Sequence, residues 1–110
     1  MGLFDVHAHL THPEIAPRLG DVLAAARAAG VTSIVTNGLH PADNEAVMEL
    51  ASREPLVRPA FGLYPVDAVL GRMVELGIDY PREAEPCTPE EGIAWVGAHA
   101  AEAFALPLAD

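Results

Sequence analysis

Short apolar or β-branched runs alternate along this chain with stretches of helical period, and that alternation admits few folds. Leu3 to His9 reads as a strand. Leu19, Val22, Leu23 and Ala26 recur at helical spacing and predict a helix from about Pro17 to Ala29, stopped at Gly30. Val31 to Thr36 is β-branched and apolar, a second and mostly buried strand, broken at Asn37-Gly38. Pro41 suits the first turn of a second helix, whose apolar stripe is Ala46, Val47, Leu50 and Ala51 and which Pro55 ends. Leu56 to Gly62 reads as a third strand despite Pro59. A loop from Gly62 to Pro65 leads into a third helix, about Val66 to Leu76, ending at Gly77.

Ile78 to Cys87 holds two prolines and three acids and reads as a surface excursion. Thr88-Pro89-Glu90-Glu91 then sets an N-cap, an N1 proline and a capping-box glutamate in register, opening a helix that carries Ile93, Trp95, Val96 and Ala100. Ala103 to Leu106 fits a fourth strand, cut short by Pro107. The order β-α-β-α-β-α-α-β implies an α/β fold with a parallel sheet. At 110 residues the whole chain, 1–110, reads as a single domain.

Charge removes several function classes. Six cations, all arginine, face 16 acids, for a net charge of −10. Such a chain has no bulk-charge attraction for nucleic acid or for an anionic membrane. The first ten residues lack the cationic opening of a signal peptide, and the apolar stretch Gly92 to Ala109 is interrupted by His99, Glu102 and Pro107. The single cysteine, Cys87, cannot pair within the chain and has no local cation to activate it. The expectation is a cytoplasmic protein with a bystander thiol. No glycine-rich phosphate loop follows any strand, and no G-x-S-x-G elbow is present.

The strongest chemical signal is Asp5-x-His7-x-His9. Strand side chains repeat every two residues, so these three should share one face, opposite Phe4, Val6 and Ala8. Two imidazoles at the carboxyl end of a strand can grip one divalent cation, and α/β sites form at that edge. Asp5, one step deeper, would orient a histidine as an acceptor. On the pattern alone, a metal grip and two surface histidines remain equal readings. His40 and Tyr64, with Asp67, follow the second and third strands and can line the same mouth; helix-start and loop duty is the blander account. His12 reads as solvated and His99 as a packing residue.

Three segments in order resemble the TatD-like metal-dependent hydrolases, within the amidohydrolase-type barrels. F-D-V-H-A-H-L (Phe4 to Leu10) is similar to their opening F-D-[TS]-H-x-H-[LF]. A-A-G-V-T-S-I-V-T-N-G (Ala28 to Gly38) fits their second strand, and F-G-L-Y-P-V-D-A (Phe61 to Ala68) their third-strand signature G-[IVL]-H-P-x-x-A. The resemblance implies the N-terminal part of a (β/α)8 TIM barrel of about 250 residues. It implies a divalent metal ion (Zn, Mg or Mn), with His7 and His9 as ligands, and hydrolysis of a phosphodiester or another small ester, typically as a deoxyribonuclease. The family's other ligands are a glutamate ending the fourth strand, two later histidines and a late aspartate. Two departures stand out: Tyr64 occupies the place of the third-strand histidine, and A-L-P-L-A-D from Ala105 replaces the expected G-E-x-G-L-D.

The chain therefore reads as an incomplete hydrolase: a truncated frame, a fragment or a decayed gene, inactive by itself and with no catalytic residue identified. A non-catalytic remnant or binding module of the same fold is one alternative. Another amidohydrolase-type or PHP-type phosphoesterase is a second. An exposed half-barrel edge would favour self-association.

Overall fold

The computed structural model describes residues 2–79 and 87–105. Its elements are β1 (Leu3–Ala8), α1 (Leu19–Ala28), β2 (Val31–Asn37), α2 (Pro41–Arg53), β3 (Val57–Ala60), α3 (Pro65–Glu75) and α4 (Pro89–Ala105). A single 3-10 turn, Ala16–Arg18, precedes α1, placing Pro17 where its missing N–H costs nothing. The three strands are parallel and ordered β1-β2-β3. Sequential parallel strands with helical crossovers are the start of a TIM barrel, as the alternation of periods required.

The core forms where α1 and α2 cover the sheet. Leu10, Leu23, Ile34, Leu50, Ala51, Leu56 and Val57 make one buried cluster, with Ala8, Ile15, Leu19, Val22, Ala26 and Val31 packed against it. The expected stripe of α2 is buried at Val47, Leu50 and Ala51, but Ala46 is exposed and Asn44 is buried in its stead. Gly30 leaves α1 at φ +90°, a conformation that other residues reach only with strain.

Pro59 is accommodated by strand alternation. The carbonyls of Leu56 and Ala60 accept from the N–H groups of Ile34 and Gly38, at 2.9 and 2.8 Å. Bonding residues alternate along a parallel strand, so Pro59 turns its missing donor away from β2.

One expectation fails. Ala103 to Leu106 is not a strand as far as the described residues reach: α4 continues through Ala105, and Leu106 lies outside them. The physical reason is local. A-H-A-A-E-A is rich in the best helix former, and no glycine or proline interrupts it after Gly97 and before Pro107. The start of α4 matches its sequence signature, for the Thr88 hydroxyl accepts from the Glu91 N–H at 3.1 Å. Thr88→Ala should therefore cost about 1 kcal/mol of stability, read as a lowered midpoint in urea. The surface excursion falls largely on residues 80–86, outside the described ones; Ile78 and Asp79 beside it are exposed.

Candidate functional site

The carboxyl ends of the three strands and the loops that leave them gather the candidate residues. The His7 and His9 rings meet edge to face, with centroids 5.0 Å apart. His7 is exposed, and His9, one residue beyond β1, is half-buried. His9 Nδ1 lies 3.0 Å from the Asn37 carbonyl oxygen. A carbonyl only accepts, so Nδ1 carries the proton and the lone pair of neutral His9 sits on Nε2. The Asn37 carboxamide in turn donates to the Ala8 and Val35 carbonyls, at 3.4 and 3.3 Å. The bond that fixes a ligand-type tautomer thus comes from the last residue of β2.

Asp5 bonds to the backbone of β1. Its Oδ1 accepts the His7 backbone N–H at 3.0 Å. The β1–β2 ladder shifts register between Leu3 and Phe4 and again between Asp5 and Ala8. A strict two-residue period therefore does not run from Asp5 to His9. Asp5 shapes the backbone that presents His7, and Asn37 orients His9.

The other candidates divide. His40 caps α2, its Nδ1 accepting the Asp43 N–H at 3.3 Å. Tyr64 is 39 % exposed and caps α3 by position, without a side-chain cap bond; its backbone N–H donates to the Leu39 carbonyl at 2.7 Å. The loops after β2 and β3 are thus joined, but His40 and Tyr64 stand at helix starts. Asp67 is fully buried in the first turn of α3. His12 is exposed, its Nδ1 accepting from Glu14 N–H at 3.1 Å. His99 stacks on Trp95 at 4.1 Å and places Nδ1 2.8 Å from the Trp95 carbonyl oxygen, within a packed aromatic group that includes Phe61. Burial pushes the Cys87 thiol up from its ordinary pKa, with the negative charges of Glu91 and Asp67 adding to the shift. Cys87 should therefore alkylate more slowly with iodoacetamide at neutral pH than a free thiol does, a rate readable by mass spectrometry.

Five residues that the strand and motif patterns did not single out hold this edge together. The Leu10 N–H donates to the Thr36 hydroxyl at 3.1 Å, and Thr36 is fully buried. The Thr11 hydroxyl donates to Asp43 Oδ1. The Leu39 N–H donates to Asp43 Oδ2 at 2.9 Å. Asn44, also fully buried, exchanges two bonds with Gly62: its Nδ2 donates to the carbonyl at 2.8 Å, and its Oδ1 accepts the N–H at 3.0 Å. Asn37 completes the set. The one local signal was His40-Pro41-Ala42-Asp43, a helix start with an acid at its third position.

Two imidazoles at a strand's carboxyl end, one with its tautomer set by a carbonyl, suit a divalent cation. The donor set here is two: no group of three or more histidine, cysteine, aspartate or glutamate side chains gathers among the described residues. No helix among them is long and apolar enough to cross a membrane.

A parallel β/α sheet with an H-x-H at the carboxyl edge of its first strand is the arrangement that the resemblance to metal-dependent hydrolases implies. The TatD-related DNase family model matches residues 4–86, and the chain belongs to that family. Among curated relatives, the human deoxyribonuclease TATDN3 is 36% identical over 70 residues, which are 63% of this chain and 26% of that protein. The mouse putative deoxyribonuclease TATDN3 is 37% identical over 67 residues, covering 60% and 23%. The Xenopus laevis putative deoxyribonuclease tatdn3-B is 38% identical over 65 residues, covering 58% and 26%. The chain spans about a quarter of the length of these relatives. The family is one of metal-dependent hydrolases.

Proposed function

We propose that this chain supplies the first β/α units of a metal-dependent phosphodiesterase of deoxyribonuclease type, with His7 and His9 as two ligands of a divalent cation. The observation that carries the reading is the His9–Asn37 bond, which leaves Nε2 of His9 as the free donor beside the His7 ring. A cation held there would polarise a phosphoryl oxygen and activate a water. The chain's own contribution is to set the two imidazoles side by side and to orient His9 through Asn37. A catalytic site keeps three or more protein ligands and an open position. Two therefore support weak binding and negligible hydrolysis by these 110 residues alone. A cytoplasmic setting accords with the single cysteine.

Calorimetric titration of the chain with zinc or manganese tests this. Weak, saturable binding is expected, fading on acidification because protonated imidazole cannot ligate. Rapid metal-dependent cleavage of a DNA substrate by the purified chain would refute the incompleteness; absence of any metal response would refute the ligand pair.

The same reading extends to association. Leu3, Phe4 and Val6 on edge strand β1 are 57%, 71% and 72% exposed. An open apolar strand edge favours pairing with a second copy of the chain. Sedimentation should show a concentration-dependent dimer, and a monomer at every concentration would contradict it.

A further inference from the structure

We infer that Asp43 and Asn44 are positioning residues of this site, which together lock the exit loops of all three strands into one rim. The inference rests on reading His7 and His9 as a metal grip, although one of its tests does not need the metal. The two residues are neighbours in the first turn of α2 and reach in different directions. The Asp43 carboxylate takes the Thr11 hydroxyl on one oxygen and the Leu39 N–H on the other. It thereby ties the loop leaving β1, two residues past His9, to the loop leaving β2. The Asn44 carboxamide takes both backbone groups of Gly62, two residues before Tyr64. The Tyr64 N–H closes the rim on the Leu39 carbonyl.

The chemistry of each side chain suits its task. A carboxylate only accepts, and both loops offer it donors. A carboxamide pairs with one donor and one acceptor of the same residue, as a neighbouring strand would. Helix capping does not account for Asp43. An acid at its position would ordinarily turn back to the N–H of the capping residue, here His40. The Asp43 carboxylate instead bonds the residue before His40 and a different loop. Behind it stand the Leu10–Thr36 bond and the His9–Asn37 bond, so three successive residues, His9, Leu10 and Thr11, are each tied across to the β2–α2 segment. Thr11–Asp43 is a half-buried tie between two side chains, so a single conservative substitution can cut it.

Thr11→Val removes the hydroxyl at nearly constant shape, and Thr11→Ser keeps it. On the full chain, zinc titration would be followed through the imidazole nitrogen signals of His7 and His9, and amide hydrogen exchange measured without metal. Thr11→Val should weaken zinc binding roughly tenfold, in the range for partners that orient a ligand. Exchange at Leu39 should speed up, with the interiors of β2 and α2 unchanged, which distinguishes lost positioning from global destabilisation. Thr11→Ser should restore both. Asn44→Ala should quicken exchange at Gly62 and Tyr64. Wild-type zinc affinity and wild-type Leu39 exchange in Thr11→Val would overturn the inference, as would a Thr11→Ser variant no better than Thr11→Val. If wild-type His7 and His9 do not respond to zinc, the metal reading falls; the inference is then upheld by faster Leu39 exchange in Thr11→Val and overturned by unchanged exchange.

Discussion

The double substitution His7→Ala/His9→Ala should abolish divalent-metal binding while leaving cooperative unfolding in urea nearly unchanged. Loss of binding follows from losing both donors. A lone remaining imidazole would give an affinity too weak to register, so either single substitution should come close to the same result. Stability is expected to hold because His7 is exposed and neither ring belongs to the buried cluster that unites α1, α2 and the sheet. The side-chain bond lost among the described residues is His9 Nδ1 to the Asn37 carbonyl. A half-buried bond of that kind contributes about 1 kcal/mol. Calorimetry and urea unfolding on the same preparations check both halves. Retained metal affinity in the double variant would remove His7 and His9 from the site.

Gly38→Ala should be the most destabilising single-methyl change at the carboxyl edge, costing about 3 kcal/mol. A Cβ at residue 38 would stand 1.9 Å from Asn44 Oδ1 and 2.9 Å from its Cγ. Asn44 cannot retreat without giving up both bonds to Gly62, and it is fully buried. The methyl therefore breaks the clamp and leaves polar groups unpaired, in addition to the steric cost. Urea denaturation would measure the loss. Adding Asn44→Gly should relieve the clash, so the double variant should be less destabilised than the sum of the two singles. Strict additivity would show that Gly38 is required for another reason.

How much of this was legible beforehand depended on how far apart in the chain the interacting groups lie. The strands and helices were readable because their causes are short-range. Alternating periods, Gly30 at the end of α1, Pro41 at the start of α2 and Thr88 before α4 act within one or two turns, and each appears where its chemistry requires. The expected fourth strand failed on the same scale: the apolar run before Pro107 reads as a strand by its local pattern, but its alanine-rich composition favours helix, and Ala103–Ala105 are helical. The bond from Asp5 to the His7 backbone was not legible, because a strand's period holds only while its register does, and register belongs to the pair β1–β2 rather than to either strand.

The sequence by itself determined the β/α alternation and the family, and it put His7 and His9 two residues apart at a strand's end, all of them short or contiguous patterns. Only the tertiary structure decided what orients that pair and joins the loops around it. His9 meets Asn37, Leu10 meets Thr36, Thr11 meets Asp43 and Asn44 meets Gly62 across separations of 28, 26, 32 and 18 residues. Each is a hydrogen bond between groups of ordinary composition, and nothing in either partner's neighbourhood names the other. They become partners because parallel strands with helical crossovers bring every exit loop to one edge, where buried donors and acceptors must find one another or remain unpaired.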